Sequence, residues 1–301
     1  MKRLLIGDNA FIGVSHLSHA HARQKVQQLR LETIVEVVKK AISSGATGFA
    51  FTVHPTNFRI LTALEAIGAL SPSFEICPVL PYAAGYIRTV NEKGLTGLAN
   101  DVLSRLSLRD KTRILLRGTA SAFTSDPFGM LKAYLDTELA GIRRLRGASL
   151  SSVLLHEVVT DLGVSFQSRE LFDKYMGHVR DTYNATPGFV TRNFVRFVNF
   201  FRDAGFSMRN VVVMTPVNKV GFQMTPSREA CEDCLSHLTG SQVIAMSILA
   251  GGYLGLDEAI QYIRHLRNLS GVVVGVSSMH HAEQTFRELK SPVAAPAATA
   301  T

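Results

Sequence analysis

The pair His156-Glu157 closes the apolar run SVLLHE and brings together two groups that can exchange protons near neutral pH. Neighbouring strand residues face opposite ways, so only one of the pair is expected to point fully inward. Asp8 and Asn9 close the first apolar run, RLLIG, where Asp8 can serve as the complementary base. Arg117, in RILLRG, has the planar guanidinium that holds a carboxylate or stabilises an enolate. Lys219 follows Asn218 in MTPVNK, near the end of another run. A Schiff base there needs a desolvated amine; electrostatic binding is the better fit, because Pro216 ends the ladder first. His54 and Tyr82 follow two more runs as candidate substrate contacts. Together these residues describe acid–base chemistry beside a carbonyl: isomerisation, dehydration or carbon–carbon cleavage.

A second group is suited to binding an anion. In GVVVGVSSMHHAEQTFREL, residues 271–289, an apolar run hands over to a helical pattern through Ser277 and Ser278. The start of such a helix presents unpaired N–H groups and the positive end of a dipole. The preceding loop, LAGGYL, has two glycines, Gly251 and Gly252, that let a phosphate or carboxylate approach the backbone. All four residues are expected to converge on one point, with His156, Arg117 and Lys219 at the other end of the same cavity.

Both groups need a scaffold that collects strand ends. Eight short runs rich in β-branched residues recur, at 3–7, 48–53, 74–80, 113–118, 152–157, 210–215, 242–249 and 271–276. Most are continuously apolar, as strands covered on both faces are. Amphipathic helical patterns separate them: Leu31, Ile34, Val35, Val38, Ala41 and Ile42 share one face, and Gly45 ends that segment. Eight alternations predict an α/β chain folded as a single-domain (β/α)8 TIM barrel over residues 1–290, with chemistry at the C-terminal strand ends. Residues 158–190 read as a lid inserted after the fifth run, and 291–301 as a disordered, Pro-punctuated tail.

The segments AMSILAGGYL (245–254) and GVVVGVSSMHHAEQTF resemble the last two strands of the aldo-keto reductases. LAGIRRLRGASLSSVLLHEVV (139–159) is similar to that family's helix and histidine-bearing strand, with His156 matching its active-site histidine. Arg117 stands where the family's catalytic lysine falls. The resemblance implies a TIM barrel, an anion-binding C-terminal end and NAD(P)H-dependent carbonyl reduction. Several family positions are not matched. Ala50 and Phe51 occupy the region of its aspartate, and its proton-donating tyrosine has no counterpart. Met246 replaces the aromatic that stacks on nicotinamide, and Gln284 and Thr285 replace the Glu-Asn pair near the adenine. His156 also falls on the fifth run rather than on the family's fourth strand. These departures lead to the expectation that NADPH binds weakly or not at all.

Composition narrows the field further. The net charge of +8 in 301 residues comes from scattered lysines and arginines, not from a stripe with interleaved aromatics, so nucleic acid is not expected as a partner. No apolar run approaches the ~20 residues of a membrane span. Three cysteines do not make a disulfide framework, and a reducing cytoplasm is the expected location. CEDC, at 231–234, places Cys231 inside a helix that would begin near Pro226, which does not suit a redox motif. His16, His19 and His21 are weak metal candidates, being well past the first strand. The leading expectation is a lyase- or isomerase-type enzyme acting on a small anionic metabolite, with no cofactor required by these residues. NADP or a divalent metal stays open, as does assembly with further copies of the chain. The alternatives are a divergent aldo-keto reductase and a non-catalytic metabolite-binding barrel.

Overall fold

The computed structural model describes residues 2–12, 30–81, 127–142, 145 and 147–291. Its strands are β1 (Arg3–Gly7), β2 (Gly48–Thr52), β3 (Glu75–Leu80), β4 (in two segments, Ser149–Leu150 and Ser152–Leu155), β5 (Thr186–Val190), β6 (Val212–Pro216), β7 (Gln242–Met246) and β8 (Leu269–Gly275). Each pairs in parallel with the next, and β8 returns to β1 from Arg3↔Gly271 to Gly7↔Gly275. The ring is closed. This is the (β/α)8 barrel expected from the alternation of apolar runs and helical patterns.

The helices are α1 (Asn9–Ile12), α2 (Leu31–Ser44), α3 (Pro55–Ala66), α4 (Pro127–Ile142), α5 (Glu157–Ser165), α6 (Arg169–Tyr183), α7 (Phe194–Asp203), α8 (Arg228–Ser236), α9 (Leu256–His265) and α10 (Met279–Lys290). In α2 the expected face is the buried one: Ile34, Val35, Val38 and Ala41 pack inward, and Gly45, at φ 120°, ends the helix. Alternation along the strands divides the apolar residues into two layers. One fills the ring, with Leu5, Ala50, Leu154, Val212, Met214 and Ile244. The other lies between ring and helices and includes the phenylalanines of α6, β5 and α7. At the N-terminal end of the ring Arg3 pairs with Glu75 at 2.6 Å and donates to Ser152 Oγ at 3.2 Å. A polar plug therefore closes that end, and the opposite end is left for chemistry.

One of the expected elements is corrected, and another lies outside the described residues. Residues 158–190 are not a lid: they form α5, α6 and the fifth barrel strand. Phe172 and Tyr175 of α6 are fully buried, and the Tyr175 hydroxyl donates to Val153 O at 2.7 Å and to Gly188 O at 3.1 Å. The strand TPGFV escapes pattern reading because Pro187 and Gly188 argue against a strand. Gly188 is required there: an added Cβ would lie 2.3 Å from Leu154 Cδ2 and 3.1 Å from Val212 O. The run 113–118 lies outside the described residues, and the ring closes without it. Glu75 is registered directly with Ser149, and Val79 with Leu154. The strand that leads to His156 is consequently the fourth.

Close approach between strands recurs at Gly48, where an added Cβ would sit 2.5 Å from Glu75 O and 2.7 Å from Glu75 Cβ. Backbone cannot give way as a side-chain tip can. Gly48→Ala is expected to lower stability by about 1–3 kcal/mol, the usual range for overpacking, read as a reduced urea midpoint. An unchanged midpoint would contradict the crowding described here.

Candidate active site

The C-terminal mouth of the barrel holds a cavity of about 490 Å³, on the scale of small-ligand pockets. Ala50, Val79, Val190, Met214, Met246 and Val273 make an apolar floor from six strands. The polar rim comes from residues just past the strand ends. Asp8 and Asn9 follow β1, Thr52 ends β2, His156 and Glu157 follow β4, and Arg192 follows β5. Gln223, Ser247, Gly251 and Gly252 enter from the loops after β6 and β7, and Gly275 ends β8.

Asp8 is buried, and its Oδ2 accepts from the Thr52 backbone N–H at 2.8 Å and from Asn57 Nδ2 at 2.7 Å. Asn57, fully buried on α3, also donates to Thr52 O at 2.8 Å. The carboxyl group thus reaches from β1 across to the end of β2. Burial raises its pKa to about 6, against the opposing effect of these hydrogen bonds.

His156 is the N-cap of α5, with Nδ1 accepting the Val158 N–H at 3.2 Å. Burial lowers its pKa below the ordinary histidine value; Glu157 opposes that shift and Arg192 reinforces it. The ring is therefore neutral at pH 7, with its proton on Nε2. Both His156 and Glu157 line the cavity, contrary to the expectation that only one would. Alternation stops applying because β4 ends at Leu155 and the chain turns into a helix.

Glu157 pairs with Arg192 at 2.6 Å. Arg192 sits in a loop organised by Asp161 of α5, which accepts from the Thr191 hydroxyl at 2.5 Å and from Asn193 Nδ2 at 3.1 Å. Sequence reading missed Arg192 because it missed β5; the arginine two residues after TPGFV was the available signal. Among the described residues it is the cation lining the cavity, in the role expected of Arg117 or Lys219. Arg117 and Tyr82 lie outside the described residues. Lys219 is exposed and pairs with Glu258 at 2.6 Å, so it is a surface loop residue and not a Schiff-base or anchoring group. Asn218 is fully buried, clamps Phe222 through two 2.8 Å bonds and does not line the cavity. His54, like His156, caps a helix, accepting the Thr56 N–H at 3.1 Å, and it too is absent from the cavity wall.

The four residues expected to form one anion anchor divide. Gly251 and Gly252 line the cavity in a turn where Ser247, Ala250, Gly251 and Gly252 all have positive φ. Ser278 caps α10 by accepting the His281 N–H at 3.2 Å, and Ser277 is exposed beside His281; neither lines the cavity. On that side the cavity wall is therefore made by Ser247, Gly251 and Gly252, not by Ser277 or Ser278. His16, His19 and His21 lie outside the described residues, and among the described residues no cluster of three metal-ligating side chains occurs. Cys231 and Cys234 are free thiols whose pKa values burial pushes up to about 11, away from redox reactivity.

No protein-family profile matches the chain, and no curated protein matches it. Solved structures do overlay on it. A Pseudomonas aeruginosa protein described as a candidate aldo-keto reductase is 11% identical with a TM-score of 0.56, the match covering 95% of this chain and 88% of that one. The holo form of an aldo-keto reductase from Bacillus halodurans is also 11% identical, with a TM-score of 0.54 over 96% and 87% of the two chains. The fold is an aldo-keto-reductase-like barrel. The count of strands agrees with the resemblance because β3 pairs directly with β4, so His156 follows the fourth strand. The expected lyase- or isomerase-type activity is corrected by these matches: the overlaid proteins are described as aldo-keto reductases, neither lyases nor isomerases. No helix among the described residues is long and apolar enough to cross a membrane.

Because the native Asp8 pKa of about 6 lies above the ordinary value of 3.8, its protonated form is the one the fold favours. That contribution is complete below about pH 4 and is lost as pH rises through about 6. Asp8→Asn keeps an amide oxygen for both N–H donors and removes the buried charge. It is expected to stabilise the protein by up to about 3 kcal/mol at pH 8, with the gain vanishing near pH 4. Urea denaturation of both proteins at the two pH values measures this, and a variant less stable than the parent at pH 8 would count against it.

Proposed function

We propose that the chain is a divergent nicotinamide-dependent reductase of small carbonyl compounds. The observation that carries this reading is His156 just past the fourth strand, on the wall of a cavity whose β7–β8 side includes Gly251, Gly252 and Gly275. The donor set suits a dinucleotide at that side. An added Cβ on Gly275 would meet only Gly7 O, at 3.8 Å, so the end of β8 leaves open space beside the cavity. Gly251 and Gly252 let a pyrophosphate come close to the backbone, and α10 begins beyond β8. Met246, on the cavity floor, offers an apolar face to a nicotinamide ring.

Bound there, the cofactor would supply a hydride to the carbonyl carbon. His156 would orient the carbonyl oxygen through Nε2–H, which its Nδ1 bond to Val158 keeps in place. The apolar floor would exclude water from the reacting bond. Arg192 would attract an anionic substituent, but Glu157 already neutralises it. Small neutral carbonyl compounds and 2-oxo acids are thus both within reach, and Glu157 sets the preference between them.

Dinucleotide affinity is expected to be low. Of the two positions that correspond to the adenine contacts, Thr285 is only 6% exposed and turned into the fold. Losing one or two such hydrogen bonds, at about 1 kcal/mol each, weakens binding about fivefold to thirtyfold. NADPH fluorescence titration should still saturate, and deuterium from 4-deuterated NADPH should appear on the carbonyl carbon of 4-nitrobenzaldehyde. No saturable quenching would refute the reading, and quenching without deuterium transfer would favour a binding barrel. A second expectation concerns Glu157. Glu157→Gln frees Arg192 and should lower KM for 2-oxobutanoate relative to 4-nitrobenzaldehyde, with an unchanged ratio excluding Arg192 as an anion contact.

A further inference from the structure

We infer that Asp8 is the proton donor of this site, a carboxylic acid on β1 that takes the place of the tyrosine the sequence lacks. The inference rests on the reductase reading and names the group that completes it. Reducing a carbonyl requires a proton on oxygen as well as a hydride on carbon. Among the described residues, no tyrosine or lysine lines the cavity. The titratable groups on its wall that could donate a proton, again among the described residues, are Asp8, His156 and Glu157.

The other two are poorly placed for the task. His156 is neutral and spends Nδ1 on the Val158 N–H; donating its remaining proton would leave an imidazolate in a half-buried site. Glu157 is engaged as a carboxylate by Arg192 at 2.6 Å. Asp8 differs from both. The Thr52 amide and Asn57, both neutral, engage Oδ2, and the neutral Thr52 hydroxyl also bonds to this carboxyl group. With Oδ2 taken by the Thr52 amide and Asn57, Oδ1 is the oxygen that would carry the proton in the acid form. Among the described residues no cation is paired with this carboxyl group, and burial holds it protonated up to about pH 6. The remaining titratable or charged groups on the cavity wall follow β4 and β5, three and four strands round the ring from β1.

The position is also telling. Gly7 is registered with Ala50, the residue in the region where the resemblance places the family's aspartate. Ala50 leaves floor space on β2, and Asp8 bonds to the end of that strand from its neighbour. On the other side, β1 adjoins Gly275 of β8, in the part of the mouth suited to the dinucleotide. A carbonyl held in this cavity between Gly275 and His156 would share the cavity wall with Asp8. With a hydride supplied to carbon, the carbonyl π pair would move to oxygen, and Asp8 would give that oxygen its proton, yielding the alcohol and the Asp8 carboxylate. The Asp8 carboxylate then regains a proton from solvent water.

The test compares the parent protein with Asp8→Asn and His156→Gln, using NADPH and 4-nitrobenzaldehyde from about pH 5 to pH 8. The parent kcat should fall as pH rises through about 6, since the acid form is the active one. Asp8→Asn should lose at least about 100-fold in kcat and lose that pH limb, with NADPH affinity by fluorescence unchanged. His156→Gln should lower kcat while keeping the limb. Infrared spectra of protein carrying 13C-aspartate, without cofactor, should show a protonated carboxyl band at pH 5 that is absent in Asp8→Asn. Retention of turnover and limb by Asp8→Asn, loss of the limb in His156→Gln, or absence of the infrared band would each overturn the assignment. Failure of NADPH to bind while the band is present would instead overturn the reductase reading, and the catalytic role of Asp8 with it.

Discussion

Closure of the sheet is the constraint on which the molecule depends. In a parallel sheet each strand must satisfy its backbone groups on two sides, and joining β8 to β1 leaves no edge among the eight. Closing so small a ring crowds the backbone wherever neighbouring strands approach, and glycine accommodates this at Gly48, Gly188 and Gly271, where an added Cβ would overlap the next strand. The same closure fixes which residues meet. Side chains past the C-terminal strand ends are brought to one mouth, while Arg3 and Glu75 seal the other.

The mouth is divided by function in a way that follows from strand order. The β7, β8 and β1 sector includes Gly251, Gly252 and Gly275, and among the described residues Asp8 is its charged side chain on the cavity wall. The β4 and β5 sector carries the His156, Glu157 and Arg192 side chains. An apolar floor joins the two. Charge is thereby kept away from the place where a dinucleotide would lie, and the reacting bond would fall between sectors.

Much of this was legible in the sequence, though unevenly. Apolar periodicity carried the fold, because strands buried on both faces leave continuous runs such as VVMTP and QVIAM. It failed at TPGFV, where the local signal belongs to turns and only the requirement for glycine against Leu154 makes a strand. Reading 113–118 as a strand offset that omission and kept the total at eight, which displaced His156 by one strand. Asp8, His156, Glu157 and the two glycines were identifiable from their place after apolar runs. Lys219 and Asn218 were not separable from true wall residues, since the loop after β6 turns back and presents Gln223 instead. Burial of Asp8 depends on Asn57, 49 positions away, and no local pattern encodes that.

The cap on α5 has one more consequence. His156 starts the helix, Asp161 from that helix holds the loop of Arg192, and Arg192 closes back on Glu157 in the helix's first turn. These four residues form a loop of dependence in which each sets the position of the next. Such a circuit resists piecemeal change: altering one member shifts the geometry of the rest before it alters chemistry. Specificity in this barrel would accordingly drift most freely on the glycine side of the mouth, where no residue is answerable to so many others.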